Sequence, residues 1–208
     1  VSLDYRINPR FLRAGVGFGG SCFPKDVKAI ASAARSKGLR VPLLDSVLLI
    51  NDYQPLRAVE LAESAAGDLK NKDVCILGLA FKPDTDDIRE TRALPILTKL
   101  IEKGCRVTGY DPKPEAMDNF KKQYFHDDFS PMNFASTIEE AIENKDIVII
   151  QNEWEDFKKI EPKTFKTRMK KNPIVIDGRR IYDPELFLKE GIIYKGIGWK
   201  GNFKGREI

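Results

Sequence analysis

Histidine and cysteine are scarce in this chain, and the scarcity excludes several kinds of site. The sequence has one histidine, His126, and three cysteines, Cys22, Cys75 and Cys105, at no spacing typical of metal ligands. An odd number of cysteines at such spacing favours neither a zinc site nor a disulfide framework, so no metal is expected. Cys75 and Cys105 lie in apolar, strand-like runs, where a free thiol behaves as a small hydrophobic side chain. Free thiols fit a reducing compartment, and a cytoplasmic location is expected.

Long apolar runs are missing, and so is a strong excess of one charge. Runs such as VCILGLAF, at residues 74–81, are far too short to cross a bilayer. The chain has 35 Lys and Arg against 31 Asp and Glu, a net charge of +4 that permits an anionic ligand without demanding a polyanion. The densest basic run, residues 158–171, carries no nucleic-acid motif and is interpreted as the solvated face of a helix. Neither a membrane nor a nucleic acid is expected as a partner.

The first third of the chain is predicted to be helical. Pro24 can begin a helix that closes near Gly38, and a second helical pattern runs from Pro42 to about Ala66. Pro55 interrupts the second pattern and should kink or split it, because proline removes a backbone donor. This second helix is expected to project away from the loop that precedes Pro24.

From residue 71 onward, short apolar runs alternate with helical patterns. Five strands are predicted, at residues 73–81, 105–112, 146–151, 173–180 and 191–198. A capping box of Ser136 and Glu139 is expected to begin one of the intervening helices. The alternation predicts an α/β fold, a Rossmann-like parallel sheet with helices on both faces, preceded by an all-helical segment. With Gly67 as the boundary, the predicted units are residues 1–66 and 67–208.

Charged side chains follow three of the predicted strands. Lys82, Asp111 and Arg179 stand at strand ends, and the carboxyl ends of parallel strands meet at one edge, where ligands bind. A lysine and an arginine at one rim suit a phosphate-bearing ligand. The turn after the first strand is not GxGxxG, so the usual dinucleotide fingerprint is absent from this sheet.

The segment GVGFGGSCFPKD, residues 15–26, is the second candidate site. Four glycines leave backbone N–H groups uncovered, and consecutive uncovered amides form an anion-binding concavity. Cys22 precedes the predicted helix start at Pro24, and the N-terminus of a helix lowers a thiol's pKa. Asp26, four residues later, can approach the thiol; because a carboxylate opposes thiolate formation, proton transfer or water positioning suits it better. A glycine-rich connector with an incidental cysteine remains the alternative.

Three blocks of the sequence resemble one family. GFGGSCFPKD resembles the active-site segment of the UDP-glucose/GDP-mannose dehydrogenase family. LGLAFKPDTDDIRETRALPIL resembles the start of that family's UDP-binding domain, and IDGRRIYD resembles a late segment that contacts the substrate. The blocks follow in the family's order over nearly the whole chain. The resemblance implies NAD-dependent oxidation of the C6 alcohol of a nucleotide sugar, with UDP-glucose favoured, to UDP-glucuronate. It implies two hydride transfers, with a thiohemiacetal and then a thioester on the cysteine.

The resemblance also implies roles for particular residues. Cys22 matches the family's nucleophile, and Asp26 the carboxylate that assists water and proton transfer. The implied substrate-binding residues are Arg6, Arg13, Gly15, Val16, Gly17, Phe18, Gly19, Phe81, Lys82 and Arg179. Among these, Arg6 is implied to reach the substrate of a neighbouring subunit. The residues implied to lie on the cofactor side are Pro24, Lys25 and Arg89. The helix from Pro42 corresponds to the family's dimer-forming helix, so a homodimer is expected, with a plain core helix as the alternative.

The family's NAD-binding domain, of about 150–200 residues, has no counterpart in this sequence. We therefore expect the chain to be the C-terminal part of such an enzyme and to be inactive alone. One alternative is a nucleotide-sugar-binding module without catalysis, although binding alone needs neither Cys22 nor Asp26. GDP-mannose remains an alternative substrate within the family, and UDP-N-acetyl sugars fit less well because their relatives' cysteine loop usually differs.

Overall fold

Three helices open the structure, a computed structural model that describes residues 4–7, 12–125 and 131–199. They are α1 (Phe23–Ser36), α2 (Pro42–Tyr53) and α3 (Leu56–Ala66). The rest alternates: β1 (Asp73–Leu77), α4 (Ala93–Glu102), β2 (Arg106–Tyr110), α5 (Pro114–Tyr124), β3 (Met132–Phe134), α6 (Ile138–Ile142), β4 (Ile147–Ile150), α7 (Glu155–Lys158), α8 (Pro162–Arg168), β5 (Ile174–Asp177), α9 (Pro184–Lys189) and β6 (Ile193–Gly196). His126 lies outside the described residues. Within them, no helix is long and apolar enough to cross a membrane.

The six strands form one parallel sheet in the order β3-β2-β1-β4-β5-β6. This is the doubly wound order of a Rossmann-like fold, so the predicted α/β class is confirmed. The sequence predicted five of these strands and missed β3, which has three residues, of which Met132 alone is buried. So short an edge strand carries too little apolar pattern to be recognised.

Two local expectations had different outcomes. The predicted break at Pro55 is confirmed, since α2 ends at Tyr53 and α3 begins at Leu56. The predicted capping box of Ser136 and Glu139 is wrong by one residue. Thr137 is the N-cap, its hydroxyl accepts the N–H of Glu140 at 3.1 Å, and the Glu140 carboxylate accepts the N–H of Ser136 at 2.7 Å.

Buried side chains form one apolar cluster on each face of the sheet. One cluster includes Ala58, Val59 and Ala62 of α3, which packs against β5 and β6. The expected domain boundary at Gly67 stays a prediction, and α3 shares its core with the sheet. Val16, from the glycine-rich segment, is fully buried in the same cluster. The sheet therefore holds part of the segment that precedes α1.

A network of ion pairs closes the amino-terminal edge of the sheet, opposite the cleft described below. Arg106 donates two hydrogen bonds to the Asp73 carboxylate, at 2.7 and 2.8 Å. Lys170 bridges Asp73 and Asp146, at 2.5 and 2.8 Å, and Asp146 also accepts the N–H of Asp73 at 2.8 Å. The network ties β1, β2, β4 and the segment before β5 together. Chiefly through the hydrogen bond from Arg106, it lowers the pKa of Asp73 from 3.8 to about 2.

We predict that Asp73→Asn lowers the free energy of unfolding by about 1 kcal/mol at neutral pH, since a partly exposed carboxylate loses its two partners. A carboxyl whose pKa is lowered in the folded state stabilises above the unfolded value, 3.8, and ceases to as the pH falls towards about 2. Denaturant titrations across this range should show a weaker pH dependence in the variant. Asp118→Asn, at an exposed carboxylate with no ion pair in the described structure, is the control. Equal losses in both variants would contradict the prediction.

Candidate nucleotide-sugar site

A cleft of about 480 Å³ lies where the glycine-rich segment crosses the carboxyl edge of the sheet. Its lining residues are Arg13, Gly15, Gly17, Phe18, Gly19, Phe23, Gln54, Phe81, Lys82, Pro83, Glu153 and Arg179. Eight of the ten residues implied to bind substrate are in this set, and the two outside it are Arg6 and Val16. The structure thus brings most of the predicted substrate residues to one cleft, and their roles stay predictions.

The glycine-rich segment is fixed from both sides. The Val16 side chain is buried against Gly178, whose α-carbon leaves room for it: a Cβ there would come 2.7 Å from Val16 Cγ1. Val16 can therefore offer the cleft only its backbone. On the other side, the Asn51 side chain accepts the N–H of Phe18 at 2.7 Å and donates to its carbonyl at 3.0 Å. Both hydrogen bonds are shielded, because Asn51 is 5% exposed.

The sequence suggested that α2 projects away from the glycine-rich segment. That expectation is wrong, because the last turn of α2 approaches the segment. Besides Asn51, Gln54 donates a hydrogen bond to the Gly15 carbonyl at 2.8 Å. The two amides are three residues apart and share one face of the helix end, a spacing visible in the sequence as NDYQ. Two amide side chains at this spacing at the end of an apolar helix could have indicated a contact with another segment. The sequence analysis did not predict this contact.

Close approach explains the glycine at position 17. Gly17 has φ +100°, and a Cβ there would lie 2.7 Å from Asn51 Oδ1. An L side chain would therefore both strain the backbone and displace the Asn51 amide. The sequence interpretation, that the glycines uncover amides for an anion, is incomplete, because the Phe18 N–H is already bonded to Asn51.

A buried aspartate shapes the turn that presents Arg179. The Asp177 carboxylate, at the last residue of β5, is fully buried and accepts hydrogen bonds from the backbone N–H of Arg179 at 2.9 Å and of Tyr182 at 3.0 Å. It also accepts the Tyr194 hydroxyl at 2.8 Å. Burial, together with Asp177, raises the pKa of Tyr194. This neutral phenol and two amides hold the turn, so the position of the Arg179 backbone is set by the sheet.

The cations of the cleft come from different elements. Lys82 is exposed beside Phe81, with Nζ 5.4 Å from the ring centroid. The Arg179 guanidinium is about one quarter exposed and pairs with Glu153 at 3.1 Å. Glu153 follows β4 and was not among the site residues predicted from the sequence. The expectation that Lys82 and Arg179 lie near a common rim agrees with their shared cleft.

Asp111, predicted for the same rim, does not line the cleft. It is 1% exposed, and its carboxylate accepts the backbone N–H groups of Leu79, Ala80 and Lys113 at 2.8, 3.0 and 3.0 Å. Burial raises the pKa of Asp111, and these amides oppose the shift. In dinucleotide-binding sheets an acid after the second strand binds a ribose hydroxyl. Here that carboxylate is already occupied, so the residues of this sheet do not fit NAD in the usual mode.

Cys22 is the exposed thiol at the start of α1. Its carbonyl accepts the N–H of Asp26 at 2.8 Å, and the Asp26 carboxylate pairs with Lys25 at 3.3 Å. Cys22 does not line the cleft, although Phe23, the next residue, does. Burial raises the pKa of Cys75 to about 12 and that of Cys105 to about 11. Of the three thiols, Cys22 alone is exposed, and its role as the nucleophile stays a prediction.

The residues implied for the cofactor side do not line the cleft. Pro24 is buried in the first turn of α1, Lys25 is exposed, and Arg89 pairs with Asp87 at 2.7 Å. The Arg89 carbonyl accepts the N–H of Gly20 at 2.9 Å, which ties the β1–α4 connection to the glycine-rich segment. Arg6 pairs with Asp4 at 2.6 Å and is exposed. The assigned roles of these four residues stay predictions.

Together the sheet topology and the cationic cleft are typical of an α/β protein with a site for an anionic ligand at the carboxyl edge of its sheet. The model of the UDP-glucose/GDP-mannose dehydrogenase family, UDP binding domain, matches residues 75–184, and that of the family's central domain matches residues 1–53. The chain belongs to the UDP-glucose/GDP-mannose dehydrogenase family. The resemblance drawn from the three sequence blocks is thereby confirmed.

Individual relatives support this family assignment. The chain is 39% identical over 197 residues to UDP-glucose 6-dehydrogenase AglM of Haloferax volcanii, covering 95% of this chain and 42% of the relative. A UDP-glucose dehydrogenase structure from Pyrobaculum islandicum matches with a TM-score of 0.81 and 34% identity, over 96% of this chain and 42% of that one. GDP-mannose dehydrogenase from Pseudomonas aeruginosa matches with a TM-score of 0.74 and 26% identity, over 95% and 44%. The chain therefore spans about two fifths of these relatives.

We predict that Asn51→Asp lowers the free energy of unfolding by about 2 kcal/mol, because a buried carboxylate faces the Phe18 carbonyl where an amide donated before. Backbone amides of residues 16–20 should exchange with deuterium faster, as measured by mass spectrometry of peptic fragments. Asn133→Asp, the same change at an exposed position of β3, is the control. Unchanged exchange of the segment in Asn51→Asp would show that this amide does not fix it.

We predict that iodoacetamide alkylates one thiol of the folded chain at about pH 8, and that this thiol is Cys22. Cys75 and Cys105 have pKa values raised to about 12 and about 11, so their thiolate forms are negligible at that pH. Intact-mass measurement should give one adduct in buffer and three in denaturant, and none in folded Cys22→Ser. Alkylation of Cys75 in the folded protein would contradict this reading.

Proposed function

We propose that this chain supplies the nucleotide-sugar site and the nucleophilic cysteine of an NAD-dependent UDP-glucose 6-dehydrogenase. The observation that carries the proposal is the cleft in which Lys82, from the connection after β1, and Arg179, from the turn after β5, face the glycine-rich segment that leads to Cys22. Two of the three relatives named above are UDP-glucose dehydrogenases, which supports UDP-glucose as the substrate.

The cleft suits a nucleoside diphosphate sugar by size and charge. Its volume, about 480 Å³, lies within the range of small-molecule sites. Arg13, Lys82 and Arg179 supply cationic donors for phosphate oxygens, and Phe18 and Phe81 supply apolar surface. The diphosphate is assigned to the cations, and the sugar is directed along the glycine-rich segment towards Cys22.

The chemistry assigned to this chain is that of a thiol. The Cys22 sulfur bonds to the C6 aldehyde carbon of the substrate, and the aldehyde oxygen takes up a proton, which gives a thiohemiacetal. After oxidation to the thioester, water breaks the carbon–sulfur bond, releasing the acid and returning a proton to the sulfur. Asp26, one helical turn from Cys22, is assigned to position that water and transfer its proton. The residues of this sheet do not fit NAD, so no oxidation step is assigned to them.

The NAD that the two oxidations require is assigned to a part of the enzyme outside these residues. The chain covers 42% of its relatives' length, which leaves room for such a part. Pro24, Lys25 and Arg89 are proposed to face it, and Arg6 to reach the site of a second subunit. A homodimer through α2 is supported by the exposure of Leu43, Leu49 and Ile50 on that helix, at 76, 72 and 62%.

GDP-mannose is the second candidate substrate, because the family includes GDP-mannose dehydrogenases and one such structure matches this chain. A module that binds a nucleotide sugar without catalysis explains the cleft equally well. The exposed cysteine one residue from the cleft favours the enzyme.

Isothermal titration of this chain should give measurable affinity for UDP-glucose and UDP, and at least ~10-fold weaker affinity for GDP-mannose. Lys82→Met should weaken UDP binding by ~10-fold, because a charge-assisted contact with a phosphate is lost. Lys163→Met, at an exposed lysine on α8, should leave binding unchanged. The same preparation should not reduce NAD when UDP-glucose is supplied.

The outcomes separate the candidates. Preference for GDP-mannose would replace the proposed substrate, and failure to bind any nucleotide sugar would remove the proposed site. Reduction of NAD by this chain alone would contradict the assignment of the cofactor to another part of the enzyme.

A further inference from the structure

Glu153 is an unexpected residue in a cleft for a diphosphate ligand. It is the one acid among the lining residues, within the part of the chain that the structure describes, and it stands among three cations. Its charge repels a ligand phosphate, so electrostatics alone favours another residue at this position. The Glu153 side chain is 22% exposed, and its contact with Arg179 is the ion pair that the structure gives it.

The Glu153–Arg179 pair is one hydrogen bond short of the bidentate form. Nη2 of Arg179 donates to Oε1 of Glu153 at 3.1 Å. Within the described structure, Oε2 of Glu153 and Nε of Arg179 are buried and have no hydrogen-bond partner. A carboxylate and a guanidinium bind through two parallel hydrogen bonds when both ends are free to align. The two unpartnered atoms are a matching donor and acceptor on the same two side chains.

Glu153 and Arg179 are fixed at their backbones by different strands. Arg179 follows β5, where Asp177 holds its N–H at 2.9 Å, and Glu153 follows the adjacent strand β4. On its other side, the guanidinium lies over Gly15, where a Cβ would come 2.5 Å from Nη1. The guanidinium therefore fills a slot between the glycine-rich segment and Glu153. Without the carboxylate it would keep its backbone anchor but lose the contact that sets its direction.

We propose that Glu153 is a positioning residue that holds the Arg179 guanidinium in the orientation that binds the nucleotide sugar. The proposal rests on the proposed function for the identity of the ligand, and its new content is the role of Glu153. The benefit of an oriented arginine exceeds the repulsion between the carboxylate and the ligand phosphates. Binding then depends on Glu153 through Arg179 and not through the charge of Glu153 itself.

The proposal and simple electrostatics predict opposite signs for one substitution. Glu153→Gln removes a negative charge from the cleft, so a direct charge effect would tighten UDP binding. If Glu153 positions Arg179, the same change weakens UDP binding, by ~10-fold for a coupled pair of this kind. Glu153→Asp keeps the charge but shortens the side chain by one methylene, and it should weaken binding as well.

A double-mutant cycle tests whether Glu153 affects UDP binding through Arg179. Titrations with UDP would compare the unsubstituted chain, Glu153→Gln, Arg179→Met and the double variant. We expect Glu153→Gln to cause no further loss in the Arg179→Met background, because there is no guanidinium left to orient. Glu155→Gln, two residues on and 75% exposed in a pair with Lys158, is the matched control and should bind like the unsubstituted chain.

Each outcome decides the proposal. Tighter UDP binding by Glu153→Gln, unchanged binding by Glu153→Asp, or an equal loss with and without Arg179 would overturn it. Thermal unfolding of every variant distinguishes a loss of positioning from a loss of stability. If Glu153→Gln does not fold, UDP binding by Glu153→Asp is compared with and without Arg179 instead. If the unsubstituted chain binds UDP but not UDP-glucose, the proposed substrate fails while the role of Glu153 is still measured. No binding of UDP at all would remove both.

Discussion

The cleft depends on the attachment of the glycine-rich segment to the carboxyl edge of the sheet. The buried Val16 side chain makes this attachment, and on the other side two hydrogen bonds between Asn51 of α2 and the Phe18 backbone hold the segment in place. Burying a valine contributes about 1.5–3 kcal/mol, and each hydrogen bond about 1 kcal/mol. These contributions are large enough to fix a segment that is otherwise rich in glycine and poor in contacts. Because the segment forms one wall of the cleft and continues into Cys22, the ligand site and the thiol are positioned by the same contacts.

The sheet has the topology of a dinucleotide-binding fold but fills the usual phosphate position with its own side chains. Gly78, after β1, has φ +97° and lies beneath the Asn152 side chain, whose Nδ2 donates to the Ala80 carbonyl at 3.2 Å. Asp111 accepts the two amides that follow, those of Leu79 and Ala80. The backbone donors that could approach a pyrophosphate in this turn are therefore already satisfied. The diphosphate of the proposed ligand is therefore assigned to the cationic cleft beside the turn, where Arg13, Lys82 and Arg179 lie.

The sequence predicted those features that depend on local pattern. Continuous apolar runs identified five buried strands, and Pro55 marked the break between α2 and α3, because both act through their immediate neighbours in the chain. β3 was missed because three residues at a sheet edge carry no clear periodicity. The capping box was placed one residue early, because Ser136 and Thr137 are both acceptable N-caps and only the backbone conformation distinguishes them. Eight of the implied substrate residues share one cleft because the glycine-rich segment, the connection after β1 and the turn after β5 meet at the carboxyl edge of the sheet.

The contacts between segments that are distant in the chain could not be predicted from the sequence. Asn51 contacts Phe18 across 33 residues, and Glu153 contacts Arg179 across 26, so no periodicity links either pair. Asn51 and Glu153 have the same effect on their partners: each orients a group that faces the cleft and need not touch the ligand itself. Motif comparison identified the residues that are proposed to bind or react, such as Lys82 and Cys22. The partners of residues that hold those groups in place are identified only once the three-dimensional structure shows which distant side chains meet.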